Sequence, residues 1–196
     1  MLVNVRRGGS LMGASLAQPT GSAANQAAGA TRVRGRPALR QHSGMPWPPN
    51  WDALFSGAEC PMCEQGRAEE TPHGIRVMSG EFADGYLARR GPQRGYIVVI
   101  WHRRHVAEPA DLTTDEANGY SADVLRVGRA IRQHFGARKV NYETLGNGVP
   151  HLHTHVTARY AEGDANPGAP LDLLSSIEQP VESLREDAEA LRRLLG

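Results

Sequence analysis

Three histidines alternate in His151-Leu152-His153-Thr154-His155-Val156-Thr157, and two cysteines stand three apart in Cys60-Pro61-Met62-Cys63. Alternate side chains of a strand share a face, so the three imidazoles line one surface while Leu152, Thr154 and Val156 turn to the other. Packing alone is a poor reason for them, because each buried ring carries two nitrogens that need partners. Two chemistries suit such a set. Imidazoles grip metal ions, as in catalytic zinc sites. Alternatively, one imidazole attacks an electrophile while its neighbours manage charge and protons. The cysteine pair reads as half of a metal knuckle, as a redox dithiol, or as two small packed residues, and the βαβ pattern that frames a redox pair is missing. The isolated His42, His73 and His134 read as structural.

Elements that would position these residues are legible around them. Tyr96-Ile-Val-Val-Ile-Trp101 is apolar and β-branched, which predicts a central strand. Gly74–Met78 and Gly85–Ala88 are shorter strand candidates, and Gly91-Pro92 marks a turn. Thr113-Thr-Asp-Glu116 predicts a capping box. The helix it opens carries Tyr120, Val124, Val127, Ile131 and Phe135 on one face, and Gly136 closes it. Lys139–Leu145 and Pro150–Thr157 then read as strands joined through a Gly146-Asn147-Gly148 turn. A last helix from about Pro180 sets Val181, Leu184, Ala188, Leu191 and Leu195 at helical period. Trp47, Trp51, Leu54 and Phe55 read as packing on the domain edge. The order is an α+β layout: an antiparallel sheet, one covering helix and a C-terminal helix.

The 196 residues are 40% hydrophobic and 22% charged, enough for one domain with an appendage. Residues 1–44 hold six arginines and no acid, for a net charge of +6, and are otherwise small and polar; they read as a disordered tail before a domain at 45–196. The remainder carries 16 basic against 21 acidic residues. A folded part of net charge −5 disfavours broad nucleic-acid binding, which needs a basic surface. No apolar run approaches the roughly 20 residues of a membrane-spanning helix. Two cysteines exclude a disulfide framework and point to a reducing, cytoplasmic setting.

The pattern His-φ-His-φ-His-φ-φ, with φ apolar, resembles the signature of the histidine-triad (HIT) nucleotide hydrolases and transferases, with Thr154 and Thr157 as mild departures. The run from Asn141 to Tyr160 resembles that family's core strand pair, and Gly95–His105 its upstream strand and histidine; the resemblance covers about residues 58–160. It implies a HIT-like fold and attack by His153 on the α-phosphorus of a nucleotide, giving a covalent nucleotidyl-histidine. His155 is implied to contact the phosphate and assist departure of the leaving group. Asn141 and Asn147 match positions that bind phosphate or ribose, although Asn147 between two glycines is equally a turn residue. In zinc-containing members a Cys-x-x-Cys recruits two distant histidines, which implies a closed, structural zinc on Cys60, Cys63, His105 and His151, with His102 as a rival to His105.

The family often carries a ribose-binding acid where this chain reads Leu87-Ala-Arg-Arg-Gly-Pro-Gln-Arg94. Arg89, Arg90 and Arg94 are then candidates for phosphate contacts or simply a solvated loop. The expected partner is a small nucleotide, of dinucleoside polyphosphate or nucleoside phosphoramidate type, with no membrane, no specific nucleic acid and a possible homodimer. The alternative is a non-catalytic nucleotide-binding or zinc-stabilised scaffold protein.

Overall fold

The computed structural model describes residues 46–196. The expected tail at 1–44, and His42 within it, lie outside the described residues. Two short helices come first, α1 (Trp51–Phe55) and α2 (Pro61–Gln65). They are followed by β1 (Gly74–Ser79), β2 (Ala83–Ala88), β3 (Arg90–Gly91), β4 (Tyr96–Trp101), α3 (Thr114–Phe135), β5 (Lys139–Glu143), β6 (His153–Arg159), β7 (Ile177–Glu178) and α4 (Val181–Leu195). Five strands form one antiparallel sheet in the order β1-β2-β4-β6-β5, and β3 pairs with β7 separately. The α+β fold expected from the sequence is the observed one.

The central strand and the covering helix form as the residue pattern dictates. The Thr113 hydroxyl accepts from the Glu116 backbone N–H at 3.3 Å, and the Glu116 carboxylate accepts from the Thr113 N–H at 2.9 Å. Two N–H groups that the first turn leaves without helical partners are thereby satisfied. Gly136 ends α3 at φ +62°, a left-handed conformation that glycine adopts without strain. Tyr120, Val124, Val127 and Ile131 of α3 join Ile97, Val99 and Trp101 of β4 and Val156 and Ala158 of β6 in one core. The other sheet face therefore carries Tyr96, Val98 and Ile100, with their cross-strand partners Thr157, His155 and His153. That face holds the candidate chemistry.

Helix α4 packs Leu184, Ala188, Leu191 and Leu195 into the same core, while Val181, expected on that stripe, is 56% exposed in the first turn. Asp187 fastens α4 to its surroundings, taking Arg94 at 2.6 and 2.8 Å and His134 Nε2 at 2.7 Å. Burial pushes the Asp187 carboxyl up, but Arg94 and His134 outweigh it and hold the group below the ordinary carboxylate range. Leu191→Ala, at a fully buried position, is expected to cost about 2–5 kcal/mol and to lower the urea midpoint without moving the active-site residues.

Several boundaries differ from the sequence reading. β6 starts at His153 rather than Pro150, because the Leu152 N–H turns to the Val106 carbonyl at 2.6 Å instead of extending the β5 ladder. β5 ends at Glu143, before the expected Leu145, where the chain leaves for the Gly146–Gly148 loop. The cysteine pair does open a helix, α2, with Pro61 in its first turn, but no parallel β-unit follows it. Trp47 lies against Trp51 with ring centroids 4.5 Å apart and planes tilted by 59°, and it remains 61% exposed, so only Leu54 of the expected edge cluster is buried.

Candidate active site and metal centre

Cys60 caps α2 and Cys63 lies one turn on, so both thiols face the same side. His105 comes from the loop after β4, and His151 from the segment just before β6. Their donor atoms converge within 4.8 Å of one another. Cys60 Sγ lies 3.3 Å from His151 Nδ1, and Cys63 Sγ lies 3.4 Å from His105 Nδ1 and 3.5 Å from His151 Nδ1. Zinc bonds of about 2.3 Å to sulfur and about 2.0 Å to nitrogen, at tetrahedral angles, set a sulfur–nitrogen separation of roughly 3.5 Å. The observed spacings fit that shell.

Backbone carbonyls settle which ring nitrogens face the thiols. His151 Nε2 donates to the Trp101 carbonyl at 2.8 Å and His105 Nε2 to the Phe55 carbonyl at 3.0 Å. With the protons held there, each Nδ1 turns a lone pair toward the sulfurs, the outer-sphere arrangement that metal-binding histidines use. Gly57 permits the close approach of α1 to this ring: a Cβ there would sit 2.6 Å from His105 Cγ, and its φ is +86°. His102 is engaged elsewhere, with its Nε2 at 3.0 Å from the Gly80 carbonyl. These four residues could hold a metal ion.

The remaining two histidines of the triad stand on β6, facing away from α3. His153 Nδ1 donates to the His151 carbonyl at 2.6 Å, which leaves Nε2 as the lone-pair nitrogen. The His155 ring lies 4.7 Å from that of His153, nearly perpendicular to it, and its Nδ1 is 2.7 Å from the Tyr96 hydroxyl. Burial pushes both imidazoles down, His155 to about 4 with the help of His153, so both are neutral near pH 7. On the opposite face Thr154 is satisfied at 2.8 Å by each of Tyr120 and Thr144, which explains a polar residue in an apolar slot of the pattern.

The two asparagines are placed less centrally than the resemblance implies. Asn141 pairs with Thr157, four residues along β6 from His153, and its side-chain oxygen accepts from Lys139 Nζ at 3.1 Å. Asn147 is exposed in the Gly146–Gly148 loop that leads to the triad. Glu143 stands directly across from His155 instead. Arg89, Arg90 and Arg94 pair with Glu70, Glu178 and Asp187, so carboxylates already engage the three side chains considered for phosphate contacts.

Beside the cysteine–histidine cluster lies a cavity of about 250 Å³ whose walls include Arg67, Asp84, Tyr86, Ile100, Arg103 and His151. Asp84 is buried and held by Arg67 through two 2.7 Å hydrogen bonds. Its register partner Ile100 is in turn opposite His153, which puts an acid on the triad's sheet face. The Leu87–Arg94 stretch, where the resemblance places a ribose-binding acid, carries none. Sequence reasoning missed Tyr96, although counting the β4–β6 register would have placed it diagonal to His155.

Residues 87–162 match the family model described as HIT domain. A Bis(5'-adenosyl)-triphosphatase of Saccharomyces cerevisiae is 31% identical over 71 residues, which is 34% of this chain and 34% of the yeast protein. The matched segment thus spans about a third of that curated relative. Among solved structures, a histidine triad protein from Bradyrhizobium japonicum superposes with a TM-score of 0.58 at 23% identity, covering 63% of this chain and 92% of that one. A HIT protein from Sinorhizobium meliloti gives 0.58 at 24% identity, covering 70% and 98%. A Zn-bound histidine triad family protein from Mycobacterium smegmatis gives 0.52 at 24% identity, covering 70% and 94%. At these identities the structural likenesses establish the fold. The family match falls on the segment that bears the three histidines, and the described domain has the histidine-triad fold of these neighbours.

Proposed function

We propose that the protein is a nucleotide hydrolase or nucleotidyl transferase acting at an α-phosphate, with His153 as the nucleophile. The observation that carries this reading is the 2.6 Å bond from His153 Nδ1 to the His151 carbonyl, which reserves the Nε2 lone pair for attack on a buried, neutral ring. In the first step Nε2 forms a bond to the α-phosphorus while the bond from phosphorus to the leaving group breaks. The leaving group departs with that electron pair and is protonated. Water, or another acceptor, then displaces the imidazole, releasing the nucleoside monophosphate or its derivative and restoring His153. His155 stands beside the nucleophile to meet the phosphate oxygens.

Cys60, Cys63, His105 and His151 would hold a zinc ion in this reading, as the Zn-bound relative's description suggests. With four protein ligands the shell is closed, so the ion would supply stability rather than an activated water. It would tie α2 to the loop after β4 and to the approach to β6. Domain limits of 45–196 and a cytoplasmic location complete the reading. Turnover of a fluorogenic AMP amide and of a diadenosine polyphosphate tests it: release of AMP from either supports the activity. Tight AMP binding with no release from any such substrate would favour the non-catalytic nucleotide-binding reading.

A further inference from the structure

Tyr96 fills the first position of β4 and reaches diagonally to His155, with its ring stacked on the imidazole at 5.8 Å and 18° between planes. It is buried, so its hydroxyl proton needs an acceptor. Among the described residues its hydrogen-bond partner is His155 Nδ1 at 2.7 Å; Glu143, across the sheet from His155, does not reach it. A hydroxyl with one partner and one proton donates to that partner. His155 Nδ1 is therefore the acceptor, and the proton of this neutral ring sits on Nε2.

The neighbouring ring is arranged in the opposite sense. His153 Nδ1 donates to a carbonyl, an atom that can only accept, so its proton is on Nδ1 and its Nε2 is bare. Neither Nε2 has a hydrogen-bond partner among the described residues. Two adjacent imidazoles thus offer a lone pair and an N–H at corresponding nitrogens.

We propose, on the basis of the nucleotidyl-transfer reading above, that Tyr96 is a positioning residue which locks His155 in the Nε2–H tautomer, so that His155 donates a hydrogen bond to the phosphate oxygens while His153 attacks. In the other tautomer His155 would turn a lone pair toward an anionic phosphate and repel it. The substrate class this favours is one whose oxygens gain negative charge as the bond to phosphorus changes, since a donor in place beforehand stabilises that charge most.

The test is ¹⁵N NMR of the ring-labelled full-length protein, as purified, with Tyr96→Phe as the comparison, a variant that retains the stacked ring and removes only the hydroxyl. The expected spectrum has His155 protonated on Nε2 and His153 on Nδ1. In Tyr96→Phe, His155 alone loses its Nε2–H preference. Turnover of the AMP amide falls by about tenfold to hundredfold while AMP binding persists, the size of effect expected when an outer partner of a reacting group is removed. An Nδ1–H tautomer at His155 in the unmodified protein, or an unchanged tautomer in Tyr96→Phe, would overturn the proposal. Expected tautomers in a protein that turns over no nucleotide would uphold the role of Tyr96 in setting His155 and overturn the nucleotidyl-transfer reading instead.

Discussion

His153→Ala is expected to remove turnover of a fluorogenic AMP amide almost entirely, with kcat falling by on the order of 10⁴-fold or more, while AMP still binds. Loss of a covalent nucleophile leaves only the background supplied by binding and charge stabilisation. The fold should survive, because β6 is held by backbone ladders to β4 and β5 on both sides. Its apolar anchors, Val156 and Ala158, sit on the opposite face from His153. His153 is itself buried, so a modest loss of stability from the cavity is expected alongside. His153→Asn should behave alike on activity. A variant retaining most of its turnover would remove His153 from the nucleophile's role.

The second large effect concerns the cysteine–histidine centre. Purified protein is expected to contain one zinc per chain, and Cys60→Ser or a strong chelator should lower Tm by on the order of 10 °C. The ligands lie 42 residues apart from Cys63 to His105, and 46 from His105 to His151, so a bound ion closes two long loops of the unfolded chain. Activity should fall as the structure around α2 and His151 is lost, not through loss of a reacting metal. His151→Ala separates the sites: it removes a ligand but keeps the backbone carbonyl that orients His153. That variant should share the zinc loss and instability of Cys60→Ser, whereas His153→Ala should keep its zinc. Zinc-free protein whose stability ignores the chelator would return the cysteines to ordinary packing.

Much of the scaffold was legible because local rules and tertiary need agree in it. The capping box at Thr113, the apolar face of α3 and the β-branched run of β4 each satisfy propensity and burial together. The four donor residues could be named from a resemblance, yet their convergence depends on a sheet register and a five-residue helix that no periodicity announces. α2 is too short to show a period, and Pro61 and Gly66 bracket it with turn-like chemistry. β2 was read two residues short because Asp84 resembles a loop residue until Arg67 neutralises it from 17 positions away.

The arginines of the Leu87–Arg94 stretch show the same limit. Their partners, Glu70, Glu178 and Asp187, lie 19, 88 and 93 residues from them, so sequence proximity carried no hint of the pairing. Tyr96 was hidden differently. As one of six apolar strand residues it reads as core, and only the register with β6 turns it toward His155.

The most direct test of His153 as a nucleophile is capture of the intermediate. The protein is mixed with a radiolabelled AMP amide, quenched in alkaline denaturant to preserve a phosphorus–nitrogen bond, and mapped by peptide mass spectrometry. One adenylyl group on the peptide containing His153, absent from His153→Ala, is the expected result. Rapid release of AMP with no label on the protein at any time during turnover, or label on a different residue, would contradict it.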